Sequence, residues 1–231
     1  MLARCLSVPL AADWKACDAR SASYSPMSTS SPMTTSTAFR PTISTLRQRW
    51  LFARAFLRDP KGLGSVIPSS KFLMNRILER IDFERARVIV EYGPGIGNLT
   101  AEMLRALQPG AKLVAIDTSE EFVRHLCNNF RHPGLHVEHG SAAEVGAILR
   151  RLGIARADYV VSGIPYSTLP AGLRRSIVRA TREVLAPDGE LIVYQFSSAV
   201  LRDLLVEFPN VQRGFEPFNI LPARLFYCQM S

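Results

Sequence analysis

The sequence predicts a doubly wound α/β domain, and three observations carry that prediction. A short β-branched run, RVIVEYGPGIG at residues 87–97, passes an acidic residue and three alternate glycines into the helical stretch NLTAEMLRAL. A second apolar run, LVAIDTS, ends on Asp117, about 20 residues beyond the turn, where a carboxylate gripping ribose hydroxyls is expected. Downstream, strand-like and amphipathic helical segments alternate, the pattern that builds a mostly parallel sheet with helices on both faces.

The 231 residues amount to one full domain with an appendage. With 47% hydrophobic and 21% charged residues the chain as a whole is not disordered, and no apolar run reaches the length of a spanning helix. An integral membrane protein is therefore not expected. Lys plus Arg number 28 against 20 for Asp plus Glu, a net charge of +8 that favours an anionic partner, nucleic acid or acidic lipid, without choosing between them. Cys5, Cys17, Cys127 and Cys228 show no C-x-x-C spacing, which argues against a zinc knuckle, a redox pair or a disulfide framework and points to a reducing compartment. No ligand cluster suggests a metal.

Taken in order, residues 1–42 read as disordered or low-complexity, since 17 of the 25 residues from Ser21 to Thr45 are Ser, Thr or Pro. A signal peptide is disfavoured by Pro9, Asp13 and Lys15; a transit peptide, or a true start at Met27 or Met33, stays open. Residues 43–60 read as a basic amphipathic helix. Ile43, Leu46, Trp50, Ala53 and Leu57 form one stripe, widened by Phe52 and Phe56 and bordered by Arg47, Arg54 and Arg58, with Arg49 beyond the other edge. Such a helix suits an anionic membrane surface, with Trp50 as its interfacial anchor, or packs on its own domain. Residues 61–231 form the α/β domain.

Within that domain, Gly93, Gly95 and Gly97 remove side chains where a ligand must approach the backbone, ahead of a helix N-terminus with unpaired N–H groups. The spacing E-x-G-x-G-x-G, followed by Asp117, resembles the class I S-adenosylmethionine-dependent methyltransferases. The resemblance implies a Rossmann-like sheet of seven strands, S-adenosylmethionine as cofactor, Glu91 ordering the glycine turn and Asp117 on the ribose. After the third strand, LHVEHG, the family usually carries an acidic residue for the adenine amino group, but this chain has Ser141 and Ala142. Ser141 or, more weakly, Glu144 is the polar candidate there, and Ile116, Thr118 and Ala142 are expected to line the ring faces.

The stretch AAEVGAILRRL then reads as a helix and DYVVSGIPY as the fourth strand. A helix between residues 169 and 185 is expected to bury Leu173, Ile177, Ala180 and Val184, with Arg175, Arg179 and Arg182 opposite. Most such arginine rows are simply solvated. A P-D-G turn at residues 187–189 should start the fifth strand, ELIVYQF, and FEPFNILPARLFYC should supply two closing strands.

The fourth strand ends SGIPY, where this fold meets the methyl acceptor. The rRNA adenine dimethylases, which GPGIGNLT resembles, carry an asparagine two residues before the proline; here that position is Gly163, which has no side-chain acceptor. A closer resemblance is to bacterial phospholipid N-methyltransferases, through GSVIPSSKFL at residues 64–73, SGIPYSTLP, the Gln195-Phe196 pair and N-x-L-P-A at residues 219–223. That resemblance implies methylation of a phosphatidylethanolamine-like headgroup by a peripheral enzyme on the inner, cytoplasmic face of the membrane.

In the acceptor pocket Tyr166 is the first candidate, since an aromatic face stabilises the growing ammonium and a phenol can relay a proton. Tyr194 and His139 are weaker candidates, and Ser162 is assigned to the cofactor side. The competing expectations are an RNA adenine methyltransferase, a soluble small-molecule amine methyltransferase, and a cofactor- or membrane-binding protein without transferase activity.

Overall fold

The computed structural model describes residues 70–219 and 222–231. The segment 1–42 and the amphipathic helix predicted at 43–60 lie outside these residues. The described chain runs α1 (Lys71–Leu78), β1 (Val88–Tyr92), α2 (Asn98–Ala106), β2 (Lys112–Asp117), α3 (Glu120–Asn129), β3 (Leu135–His139), α4 (Val145–Arg151), β4 (Ala157–Ser162), α5 (Ala171–Val184), β5 (Leu185–Gln195), α6 (Leu201–Glu207), β6 (Asn210–Glu216) and β7 (Ala223–Gln229). The strands form one sheet in the order β3-β2-β1-β4-β5-β7-β6. β1 to β5 pair in parallel, and β7 runs antiparallel to both β5 and β6.

The strands are apolar on both faces because helices cover both. Ile89, Leu113 and Ala115 face α1 to α3, while Val90, Tyr92, Val114 and Val160 face α4 to α6. Strand order reverses at β1, whose neighbours are β2 and β4, so the carboxyl ends of β1 and β4 border the crevice where open α/β sheets bind ligands.

Three features depart from the sequence expectation. The stretch after β3 begins as a 3-10 turn, Ala142–Glu144, before α4, because Ser141 and Glu144 form a reciprocal capping box. The P-D-G segment is not a turn ahead of β5. It lies within a strand that begins at Leu185, and the β4–β5 register shifts between Ala157 and Tyr159 to absorb it. On α5, Ile177, Val178, Thr181 and Val184 are buried as the period requires, but Leu173 is exposed, because the first turn of the helix opens onto the crevice.

Helix α1 is fastened over that crevice from both ends. Ser70 caps it, accepting from Leu73 N at 3.2 Å, and Ser70 N donates to Asn219 Oδ1 at 2.8 Å. Beyond its C-terminus, the Arg80 guanidinium grips buried Glu190 through two bonds of 2.7 and 2.8 Å, and Arg76 Nη1 donates to Phe215 O at 3.0 Å.

Candidate functional site: a divided cleft

A cleft of about 910 Å³ runs along the carboxyl ends of β1, β2, β4 and β5. Its first half is built from backbone. Gly93, Gly95 and Gly97 all have positive φ, of 68°, 57° and 85°, so the turn follows a path that side-chain-bearing residues rarely adopt. Gly97 is doubly constrained, because a Cβ there would lie 2.7 Å from Leu126 Cδ2 and from the Phe130 ring. Gly93 N donates to Ile116 O at 3.0 Å, tying the turn to the end of β2.

Two carboxylates flank this turn, and their roles differ from the expected division. Asp117 Oδ2 accepts from Gly95 N at 3.3 Å and Oδ1 from Ser119 N at 2.8 Å, so Asp117 is the carboxylate that holds the turn. Glu91 does not bond the turn. It is buried beneath it, and its Oε2 accepts from Thr100 Oγ1 at 2.6 Å while Oε1 has no hydrogen-bond partner among the described residues. Burial, helped by the neighbouring Asp117 charge and opposed by the Thr100 bond, pushes the Glu91 pKa up to about 7. Burial also raises the pKa of Asp117, against three backbone hydrogen bonds. Thr100, the partner that sets Glu91 in place, carries no motif of its own in the sequence, and its position nine residues on, in the first turn of α2, is the one signal of its role.

Ile116, Thr118, Ser141 and Ala142 line the same half of the cleft. The Ser141 hydroxyl is already engaged, accepting from Ala143 N at 3.2 Å, and Glu144 accepts from Ser141 N at 3.1 Å. His139 is exposed and its Nε2 lies 3.1 Å from Thr118 O; it is not part of the cleft lining.

S-adenosylmethionine fits the residues of this half. A glycine path without side chains leads to it, an orphaned carboxylate oxygen lies beneath it, and Asp117 sits at its edge. A buried unpaired acceptor costs about 1–3 kcal/mol, a cost that a cation nearby would offset.

The second half is built from side chains: Leu73 of α1, Ile164 and Leu169 after β4, Leu173 and Ile177 of α5, Tyr194, Gln195 and Phe196 at the end of β5, and Asn219 and Ala223. Here the structure corrects the leading sequence expectation. Tyr166 does not reach the cleft. The chain turns back after Pro165 into the 3-10 turn Tyr166–Thr168, which buries the ring completely in the core against α5. Its hydroxyl pairs with that of Ser162 at 3.0 Å, and burial raises its pKa further above the ordinary phenol value. Ser162 is equally buried and absent from the lining, so neither residue is placed to touch a ligand.

Tyr194, the weaker candidate, lines the cleft instead. The β4–β5 register pairs Ser162 with Val193, which sets Gly163 beside Tyr194. A Cβ on Gly163 would overlap the Tyr194 hydroxyl and lie 2.8 Å from the ring carbon bearing it. Position 163 is glycine because Tyr194 occupies the space a side chain would need.

Residues 89–189 match a family profile described as "Methyltransferase domain". An ornithine lipid N-methyltransferase of Singulisphaera acidiphila is 30% identical over 186 residues, 80% of this chain and 97% of that protein. A ribosomal RNA small subunit methyltransferase A of Synechococcus sp. is 30% identical over 155 residues, 66% of this chain; the match spans 53% of that protein, so the chain corresponds to about half its length. Among solved structures, the N-methyltransferase NodS of Bradyrhizobium japonicum with S-adenosyl-L-homocysteine superposes with a TM-score of 0.56 at 15% identity, over 78% of this chain and 96% of that one. Human methyltransferase-like protein 13 superposes with a TM-score of 0.53 at 16% identity, over 64% and 74%. These superpositions establish the fold, while the lipid enzyme is matched almost from end to end. The chain belongs to the class I S-adenosylmethionine-dependent methyltransferases, and S-adenosylmethionine is its methyl donor.

Proposed function

We propose that the protein methylates the amine of a lipid headgroup, phosphatidylethanolamine-like or an amino-acid lipid, at a membrane surface. The observation that carries this reading is the apolar rim of the acceptor half. Leu173 and Phe196 line that half yet are 38% and 37% exposed. Phe72 and Phe218, at 60% and 67% exposed, pack ring against ring at 5.6 Å beside the lining residues Leu73 and Asn219. Exposed apolar groups concentrated at a cleft mouth suit an acceptor that brings acyl chains with it. Similarity to the ornithine lipid enzyme supports the same reading. The basic stripe of residues 43–58 would hold the enzyme on the anionic cytoplasmic face. No helix among the described residues is long and apolar enough to cross a membrane.

When bound, the cofactor supplies an electrophilic methyl group, which the acceptor nitrogen takes with its lone pair while the sulfur keeps the bonding electrons. The chain has to deliver a neutral, aligned amine to that methyl. The apolar walls Leu169, Leu173 and Ile177 disfavour a charged ammonium and so lower the acceptor's pKa on entry. Tyr194 offers a ring face to the cation that forms and a hydroxyl within the same half. The side-chain-free path of the glycine turn, with Asp117 at its edge, would receive the cofactor end.

Comparing transfer to vesicle-borne lipid with transfer to free headgroups tests the reading. Phosphatidylethanolamine or ornithine lipid in anionic vesicles should be methylated far faster than phosphoethanolamine or ornithine in solution. Equal rates on the soluble amines would overturn it. The RNA reading has the similarity to ribosomal RNA enzymes in its favour, but Tyr194 stands where an adenine-binding amide would project.

A further inference from the structure

Gln195 ends β5 and is 6% exposed, and neither its carboxamide oxygen nor its nitrogen has a hydrogen-bond partner among the described residues. It lines the cleft. Buried amides in native proteins are almost always paired, so a wholly orphaned one beside a cavity marks a place where a ligand completes the bonding. The sheet order shows which ligand. β5 lies on the far side of β4 from β1 and β2, whose ends carry the glycine turn and Asp117. By strand alternation Gln195 faces the same side as Val193, toward Leu169 and Ile177, the apolar wall of the acceptor half. A carboxamide there presents one acceptor and two donors in fixed geometry.

We propose that Gln195 positions the methyl acceptor: its oxygen accepts an N–H of the amine, and its nitrogen donates to an oxygen a few bonds away on the same headgroup. A phosphate ester, a carboxylate or an amide carbonyl supplies such an oxygen, and in each case the acceptor is an amine with an oxygen nearby. This inference rests on the lipid-amine reading above. It also has a consequence that a merely structural glutamine would not. A neutral primary amine carries two N–H groups and a monomethylated one carries one, but a neutral dimethylated amine carries none. Gln195 therefore orients the nitrogen for the first two transfers and has no N–H to hold in the third.

The test uses the full chain with Gln195→Met, similar in length but unable to form these bonds, and Gln195→Glu, which keeps an acceptor oxygen. Phosphatidylethanolamine, ornithine lipid and dimethylated phosphatidylethanolamine are presented in separate vesicles, and cofactor affinity is measured by calorimetry. In Q195M, kcat/KM on the primary amine should fall about tenfold or more, through KM, while on the dimethylated lipid it falls less than about threefold. Cofactor affinity should stay within about twofold, and Q195E should recover part of the loss. Which primary lipid responds identifies the neighbouring oxygen. Unchanged transfer in Q195M, equal losses on primary and dimethylated lipid, or weakened cofactor binding would each overturn the assignment. A wild-type protein that methylates no lipid would instead remove the functional reading, and this inference with it.

Discussion

The two halves of the cleft are made in different ways. The cofactor half is a backbone construction, in which three positive-φ glycines and two carboxylates come from a 27-residue stretch between Glu91 and Asp117. The acceptor half is assembled from side chains spread between Leu73 and Ala223, brought together only by the sheet order and by the fastening of α1 to the β6–β7 connection. Backbone constructions leave little freedom to vary, because the path itself excludes most residues. Side-chain constructions can change specificity at one position without disturbing the frame, as the pairing of Gly163 with Tyr194 illustrates.

Substitutions should separate the halves. The largest effect is expected at Gly97→Val, where a β-branched residue must adopt positive φ and overlap Leu126 and Phe130. A cost of several kcal/mol should lower the thermal midpoint and abolish cofactor binding, both readable in one thermal-shift titration. A stable variant with normal affinity would contradict the account of the turn. Next, Asp117→Ala removes the acceptor of Gly95 N and should weaken S-adenosylmethionine by about tenfold to a hundredfold in calorimetry, the range for bonds to a charged group.

Gly163→Ala should act on the other half alone. The added methyl must displace the Tyr194 hydroxyl, so turnover should drop while cofactor affinity holds, and combining it with Tyr194→Phe should relieve part of the loss. Additive losses in that cycle would show that the two positions do not share space.

The pH dependence is subtler. Glu91 is held near pH 7 by burial, so in the free protein it gains charge as pH rises through about 7. The raised value means the folded state binds this proton more tightly than the unfolded one. Stability from Glu91 is thus present below about pH 4.5 and declines between there and about 7. A cationic cofactor favours the ionised form, so affinity should strengthen as pH rises from about 6 to about 8, and Glu91→Gln should flatten that slope. A wild-type affinity independent of pH would remove Glu91 from cofactor binding. The smallest effect belongs to Tyr166→Phe, which loses one buried hydroxyl bond to Ser162 and should cost about 1 kcal/mol of stability with turnover unchanged.

What could be read in the sequence follows the same division. The strands β1 to β4, the glycine turn and the place of Asp117 were legible because each is written in consecutive residues of one period or spacing. Glu91 stands out in the sequence but its partner does not, since a bond to Thr100 depends on how α2 sits on β1. The motif alone misplaces Tyr166 for a related reason. A motif fixes which residue follows the proline, but the 3-10 turn decides which way it points. In the sequence Gly163 reads only as a missing side chain, and the β4–β5 register reveals that Tyr194 fills the space. The P-D-G segment likewise reads locally as a turn, while the pairing of Leu185 before it and Glu190 after it with β4 carries it within β5.

The most direct measurement of the central claim places radiolabelled S-adenosylmethionine and the full chain with amine-lipid vesicles and ribosomal RNA in one reaction, and follows where the label goes. The account predicts label in methylated lipid, with none in RNA. Label in RNA adenine would contradict it, and would mean that the acceptor half accommodates a nucleobase despite Tyr194.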